Sequence, residues 1–214
     1  EQDMNEMEAV GSTDRVNVVV QWASYETRNT KRVLVQKDAD MSAVTSPVVE
    51  DMGLVDMGSV DELIAFVKWG VEKYPAKHYF IDIWNHGNGW QKNVLQNIFK
   101  DISYDDFSGN RITTEQLGTS MAELKSVLGK NIDVLGFDAC LMAMAEVSGE
   151  VIDSVDYTIG SEDLEPGDGW PYDDFLRKLN EGNVYKDPKS LAADLVSTYV
   201  SSYSGGSQGN REIG

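Results

Sequence analysis

Two stretches decide how this chain folds: Tyr79-Phe80-Ile81-Asp82-Ile83-Trp84 running into Asn85-His86-Gly87-Asn88-Gly89, and Ile132-Asp133-Val134-Leu135-Gly136-Phe137 running into Asp138-Ala139-Cys140. Each is an apolar, β-branched and aromatic run that stops at a turn, the pattern of a buried strand. Between them, Thr113, Thr114 and Glu115 open a helical stretch that runs through Leu128 and is closed by Gly129. Strand, helix, strand in succession predicts a right-handed crossover and a parallel pair.

Working outward, Gln2 to Ala9 reads as the tail of an acidic helix that starts upstream, and Asn17 to Gln21 and Arg32 to Gln36 read as two strands that pair. Ser59 caps a helix over Val60 to Tyr74, where Leu63, Ile64, Phe66, Val67 and Val71 recur at helical spacing and Pro75 ends the run. Gln91 to Arg111 is polar and loop-like. Beyond the second strand, the spacing predicts a helix over Leu141 to Ile152, a strand at Asp156 to Ile159, the loop Ser161 to Gly169, and helices near Tyr172 to Leu179 and Lys189 to Val200. The expected architecture is α/β, a mostly parallel sheet covered by helices on both faces, in a single domain over residues 1–214 with a mobile Ser/Gly-rich tail from Ser201 onward. In such sheets the working loops lie beyond the carboxyl ends of the strands; here they begin at Asn85, Asp138 and Ser161.

The 214 residues carry 18 basic and 36 acidic side chains, a formal charge of −18, with 41% hydrophobic and 25% charged residues. That balance fits a folded, soluble domain. Its negative field repels phosphate backbones and anionic lipid, which argues against nucleic-acid and membrane-surface roles and favours cationic partners. No apolar run approaches the roughly 20 residues needed to cross a bilayer, so membrane insertion is not expected. No basic-then-apolar leader opens the chain at Glu1, so any targeting segment is expected to have been removed.

Cys140 is the only cysteine, so no intrachain disulfide exists. A lone cysteine is ordinarily a small buried hydrophobe, and His86 alone reads as a turn residue. Their shared position at strand ends gives them another reading. Strands about 4.8 Å apart bring imidazole and thiol within reach of one another. A thiol is a weak nucleophile until it becomes a thiolate, which a neighbouring imidazole and the N-terminus of a helix beginning near Leu141 would favour. Gly87 lets its backbone N–H approach a substrate oxygen, and with the N–H of Cys140 it would form an oxyanion hole. His78, Asp82 and His86 recur every four residues, but on a strand the outer two stand about 26 Å apart. No metal site is expected there. A serine hydrolase would need a Gly-x-Ser-x-Gly elbow, which is absent.

Trp84-Asn85-His86-Gly87-Asn88-Gly89-Trp90, Gly136-Phe137-Asp138-Ala139-Cys140-Leu141-Met142 and Glu165-Pro166-Gly167-Asp168-Gly169-Trp170-Pro171-Tyr172, in that order, resemble the clostripain family of cysteine peptidases, relatives of caspases, gingipains, legumains and separases. The resemblance runs from about Met4 to Tyr203. His86 precedes Cys140 by 54 residues, close to the caspase interval of roughly 50. The caspase signature itself is not met, since Asp138 stands in place of glutamine and Leu141-Met142 in place of the polar-glycine pair.

The resemblance implies a caspase-like α/β/α sandwich and a cysteine endopeptidase, with His86 as proton shuttle, Cys140 as nucleophile, and Asp138 and Asp168 as acidic walls of the pocket for the residue before the scissile bond. Two partly desolvated carboxylates repel unless a cation enters between them, and the planar fork of arginine suits both, with lysine as a point charge. Arginine or lysine specificity on peptide or protein substrates follows.

The resemblance also implies processing after a basic residue between His86 and Cys140, with Lys100 first and Lys92 and Arg111 behind it, giving a monomer or a processed two-chain form. It further implies an upstream first strand, and a secreted, periplasmic or cell-surface location. No cofactor is required. Calcium is an optional ligand that Asp38 to Asp40 or Asp101 to Asp106 would bind, although neither follows the Asp-x-Asp-x-Asp-Gly pattern. Two other readings are a catalytically silent module whose acidic cleft holds basic peptides or calcium, and a transamidase on the same scaffold.

Overall fold

The computed structural model describes residues 1–89, 101–182 and 184–213. In chain order they form α1 (Gln2–Val10), β1 (Val19–Ala23), β2 (Thr30–Leu34), β3 (Val48–Gly53), α2 (Val60–Lys73), β4 (Phe80–Trp84), β5 (Asp101–Ile102), β6 (Ile112–Thr113), α3 (Thr114–Leu128), β7 (Ile132–Asp138), α4 (Ala145–Val151), β8 (Val155–Ile159), α5 (Tyr172–Asn180), α6 (Pro188–Tyr203), β9 (Ser204–Gly206) and β10 (Gly209–Asn210), with a 3-10 turn at Val184–Lys186. These gather into two compact units, one of Glu1–Val55 and Trp170–Arg211, the other of Asp56–Gly169 and Glu212–Gly214.

The second unit holds the parallel sheet, in the order β4-β7-β8. β7 lies between the other two and is buried along all its residues, the condition that makes a parallel strand read as a continuous apolar run. Ile81 and Ile83 of β4, Leu135 and Phe137 of β7 and Val155 of β8 pack with Ile64 and Val67 of α2, Leu117, Met121 and Leu124 of α3, and Val147 and Val151 of α4. Each such side chain removed from water contributes roughly 1.5–3 kcal/mol. α3 starts and stops where its sequence dictates. Thr113 and Gln116 form a reciprocal capping box, and Gly129 takes the left-handed conformation at φ 69°.

At the amino end of this sheet, the Asp133 carboxylate takes His78 Nδ1 at 2.7 Å, the Tyr79 N–H at 2.9 Å and Lys130 Nζ at 2.5 Å. His78 thus sits before β4 and His86 after it, so the His78, Asp82, His86 series is spread along a strand.

In the first unit, β1, β2 and β3 form an antiparallel sheet. The expected pairing of the first two strands is present, with Val20 opposite Val33. β1 begins two residues later than the apolar run, because the Val18 N–H goes to the Ser12 hydroxyl at 3.0 Å and the Val35 carbonyl takes the Ser12 N–H at 2.9 Å, so the two strands share only the bond from the Val35 N–H to the Val18 carbonyl at that step. β3 was not expected. Its Glu50 and Asp51 interrupt any apolar pattern, and it is held at the exposed edge by the cross-strand pair Arg32 to Glu50 at 2.9 Å. The Ser/Gly-rich stretch expected as a mobile tail has regular structure through Asn210, since α6 continues to Tyr203 and β9 pairs with β10.

Candidate active site

β4 and β7 pair in parallel with Phe80 opposite Val134 and Trp84 opposite Asp138. His86 and Cys140 therefore each stand two residues past the last paired positions. The ladder extends one step further, as the Asn85 N–H donates to the Asp138 carbonyl at 3.3 Å. His86 is exposed and Cys140 partly so, and the His86 N–H is taken by Asn85 Oδ1 at 2.7 Å.

Gly87 is buried against the backbone of Cys140. A Cβ there would fall 2.4 Å from the Cys140 carbonyl oxygen and 2.8 Å from Met142 Cγ, so only glycine fits without displacement. Gly87 also bridges Ile102 in antiparallel fashion. The ladder bond beside that bridge runs from the Asn88 N–H to the Asp101 carbonyl at 3.0 Å, so the pairing does not draw on the Gly87 N–H. Asp101, 4% exposed, also accepts Asn88 Nδ2 at 2.7 Å and Arg111 Nε at 3.0 Å. The segment carrying His86 is therefore tied to β7 on one side and to β5 on the other.

Asp138 closes β7 and is buried. Gly169, at φ +61°, lies against its carboxylate, a Cβ at that position falling 2.8 Å from Oδ2 and 3.0 Å from Oδ1. Asp168, partly exposed, immediately precedes it. A turn closed by the Gly169 N–H on the Pro166 carbonyl at 3.0 Å fixes this end of the loop.

The helix expected from Leu141 is absent there; α4 begins at Ala145. Leu141 takes the left-handed conformation at φ 63°. The N–H groups of Leu141 and Ala143 donate outside any helix, to the carbonyls of Asp163 at 3.1 Å and Ser161 at 2.9 Å. A helix terminus therefore does not sit at the thiol. The Glu165 N–H, 3.3 Å from Cys140 Sγ, does. That donor, and the Asp101 clamp, were not anticipated from the sequence.

Lys100 and Lys92 lie outside the described residues, and Arg111 is engaged by Asp101. Among the described residues no group of three or more His, Cys, Asp or Glu side chains could hold a metal ion. Asp38 and Asp40 are occupied by local donors, Asp38 Oδ1 by the Asp40 N–H at 2.9 Å and Asp40 Oδ1 by the Ser42 N–H at 3.0 Å. Asp105 accepts the N–H groups of Met57 at 2.9 Å and Phe107 at 2.7 Å. No helix among the described residues is long and apolar enough to cross a membrane.

The model of the clostripain family, peptidase family C11, matches residues 1–213. Clostripain of Hathewaya histolytica is 28% identical over 134 residues, covering 59% of this chain and 25% of that protein. A secreted C11 cysteine protease from Bacteroides thetaiotaomicron, solved with an irreversible peptide inhibitor, aligns with a TM-score of 0.72 at 26% identity over 95% of this chain and 52% of that one. An inactive zymogen C11 protease from Parabacteroides distasonis aligns with a TM-score of 0.70 at 20% identity, over 94% and 52% of the two chains, and at that identity the likeness speaks for the fold alone. This chain thus spans a quarter of the curated relative and about half of each solved one. The caspase-like α/β class expected from the sequence is that of these neighbours. With a parallel sheet that ends in His86 and Cys140 and a family match along nearly its whole length, the chain belongs to the clostripain family of C11 cysteine peptidases.

Proposed function

We propose that this chain is a cysteine endopeptidase cleaving after arginine or lysine. The observation that carries the reading is the register of β4 on β7, which gives His86 and Cys140 equal steps beyond Trp84 and Asp138. His86 takes the thiol proton, and the thiolate attacks the peptide carbonyl. The oxyanion that develops is received by the N–H groups of Gly87 and Cys140. Collapse to the acyl-enzyme expels the amine, which His86 protonates, and His86 then draws a proton from the water that releases the acid.

The basic side chain of the substrate enters between Asp138 and Asp168, where it relieves the repulsion of two carboxylates. Support comes from Gly169, which joins Asp168 to the buried Asp138 carboxylate. The peptide inhibitor carried by the Bacteroides thetaiotaomicron relative supports a peptide substrate, and that relative's description as secreted supports a secreted location. Processing after Lys100 by the same site belongs to this reading. Thiol, imidazole and water suffice for the chemistry, so no cofactor is included and calcium is not required.

The test is hydrolysis of an arginyl peptide substrate by the purified protein. Cys140→Ala and His86→Ala are expected to abolish turnover, Asp168→Ala to raise KM, and a chelator to leave the rate unchanged. Intact mass should show the Cys140→Ala protein uncut. Full turnover by the cysteine variant overturns the proposal.

A further inference from the structure

The loop that carries Asp168 also reaches the sulfur. Glu165 N lies 3.3 Å from Cys140 Sγ, within the range of a backbone hydrogen bond to sulfur. This contact is held by the loop's own bonding. The Ser161 carbonyl accepts the Ala143 N–H at 2.9 Å and the Asp163 carbonyl accepts the Leu141 N–H at 3.1 Å, which brackets the cysteine. Ser161 Oγ accepts the Asp163 N–H at 3.1 Å, and Asp163 Oδ1 accepts the Leu164 N–H at 2.8 Å. The Glu165 N–H is therefore aimed before any substrate arrives.

Such a donor has work to do at this position. Asp138 lies two residues before the thiol, and Glu162, Asp163, Glu165 and Asp168 belong to the same loop, so no basic side chain of that loop is available to face a negative sulfur. The backbone supplies no helix terminus, because α4 starts five residues beyond Cys140. A hydrogen bond to a charged acceptor is about twice as strong as one between neutral groups.

We propose that the backbone N–H of Glu165 is the group that stabilises the Cys140 thiolate, so that the loop forming the acidic pocket also activates the nucleophile. This rests on the peptidase reading for its catalytic meaning. The proton leaves Sγ for His86, and the charge left on sulfur is met by the Glu165 N–H, with no other bond made or broken.

Alkylation by iodoacetamide tests this without substrate, and Cys140, the only cysteine, reports it unambiguously. Glu165→Pro and Glu165→Ala both lose the carboxylate, and only the proline loses the N–H. Followed by peptide mass, the proline variant is expected to alkylate about tenfold more slowly than the alanine variant at pH 7, with the gap closing at pH 9.5, where deprotonation no longer needs assistance. Equal rates at pH 7 in variants with native circular dichroism overturn the proposal. A gap that persists undiminished at pH 9.5 also overturns it, since that reports access to the sulfur and not its charge. Should the proline variant fail to fold, an ester in place of the Leu164–Glu165 amide removes the same N–H without a ring, compared with the wild-type amide under the same two criteria. Failure of the peptidase reading would appear separately, as undiminished arginyl hydrolysis by Cys140→Ala.

Discussion

Asp101 receives Asn88 twice, its side-chain amide at 2.7 Å and its backbone N–H at 3.0 Å, and so anchors the strand end that bears His86 to a hairpin built on the start of α3. Arg111, 3.0 Å away, fixes the other carboxylate oxygen. Asp101→Ala is expected to lower kcat on an arginyl substrate about tenfold while KM barely changes, because the imidazole loses its aim and the pocket is untouched. Steady-state kinetics check this. Asn88→Ala added to Asp101→Ala should cost little more, since both act through one clamp.

Gly169 follows Asp168 in the chain and lies against the Asp138 carboxylate. Gly169→Ala meets the Asp138 carboxylate at 2.8 Å and forces a side chain into φ +61°, a conformation that costs roughly 1–2 kcal/mol outside glycine. The strain falls on the loop end that holds Asp168. KM for the arginyl substrate is expected to rise about tenfold, matching that strain. Iodoacetamide alkylation of Cys140 should change far less, and equal losses in both would show that the loop had moved as a whole.

Gly87→Ala is more severe, because the obstacle is backbone: the added methyl falls 2.4 Å from the Cys140 carbonyl. Either β4 and β7 part at their ends or the chain bends away from Ile102. Both displace the proposed oxyanion donor, and kcat is expected to fall on the order of a hundredfold or more. Thermal melting should show a lower midpoint as well.

What the sequence made legible was local or periodic. The β4 and β7 runs, the Thr113 cap and the Gly129 stop all declare themselves in their own residues, and they suffice to bring His86 and Cys140 to one end of the sheet. The failures are tertiary. α4 starts late because Leu141 and Ala143 give their N–H groups to Asp163 and Ser161, partners some twenty residues away. The Glu165 N–H leaves no mark in a side chain. β3 is an exposed edge strand with charges at Glu50 and Asp51, so it lacks the apolar alternation by which a strand is read.

Glu6 offers a pH test of the first unit. Its carboxylate accepts the Tyr172 N–H at 3.1 Å, at the start of α5, and Gln2 Nε2 at 3.2 Å. Burial pushes its carboxyl from 4.5 up to about 7, with Asp3 and Asp173 adding in the same direction against the lowering effect of the two hydrogen bonds. A carboxylate at a helix N-terminus is ordinarily favoured, and here burial outweighs that preference. Since the folded value exceeds the unfolded one, the native state binds the extra proton, and the contribution is complete below about pH 4.5, declines as pH rises, and is lost above about 7. Glu6→Gln keeps an oxygen for the Tyr172 N–H and cannot ionise. It is expected to be more stable than wild type at pH 8 by on the order of 1 kcal/mol, discounted because the site is partly solvated, and nearly equal at pH 5. Urea midpoints of the two proteins across that range decide it: a difference that stays flat from pH 5 to 8 contradicts the assignment.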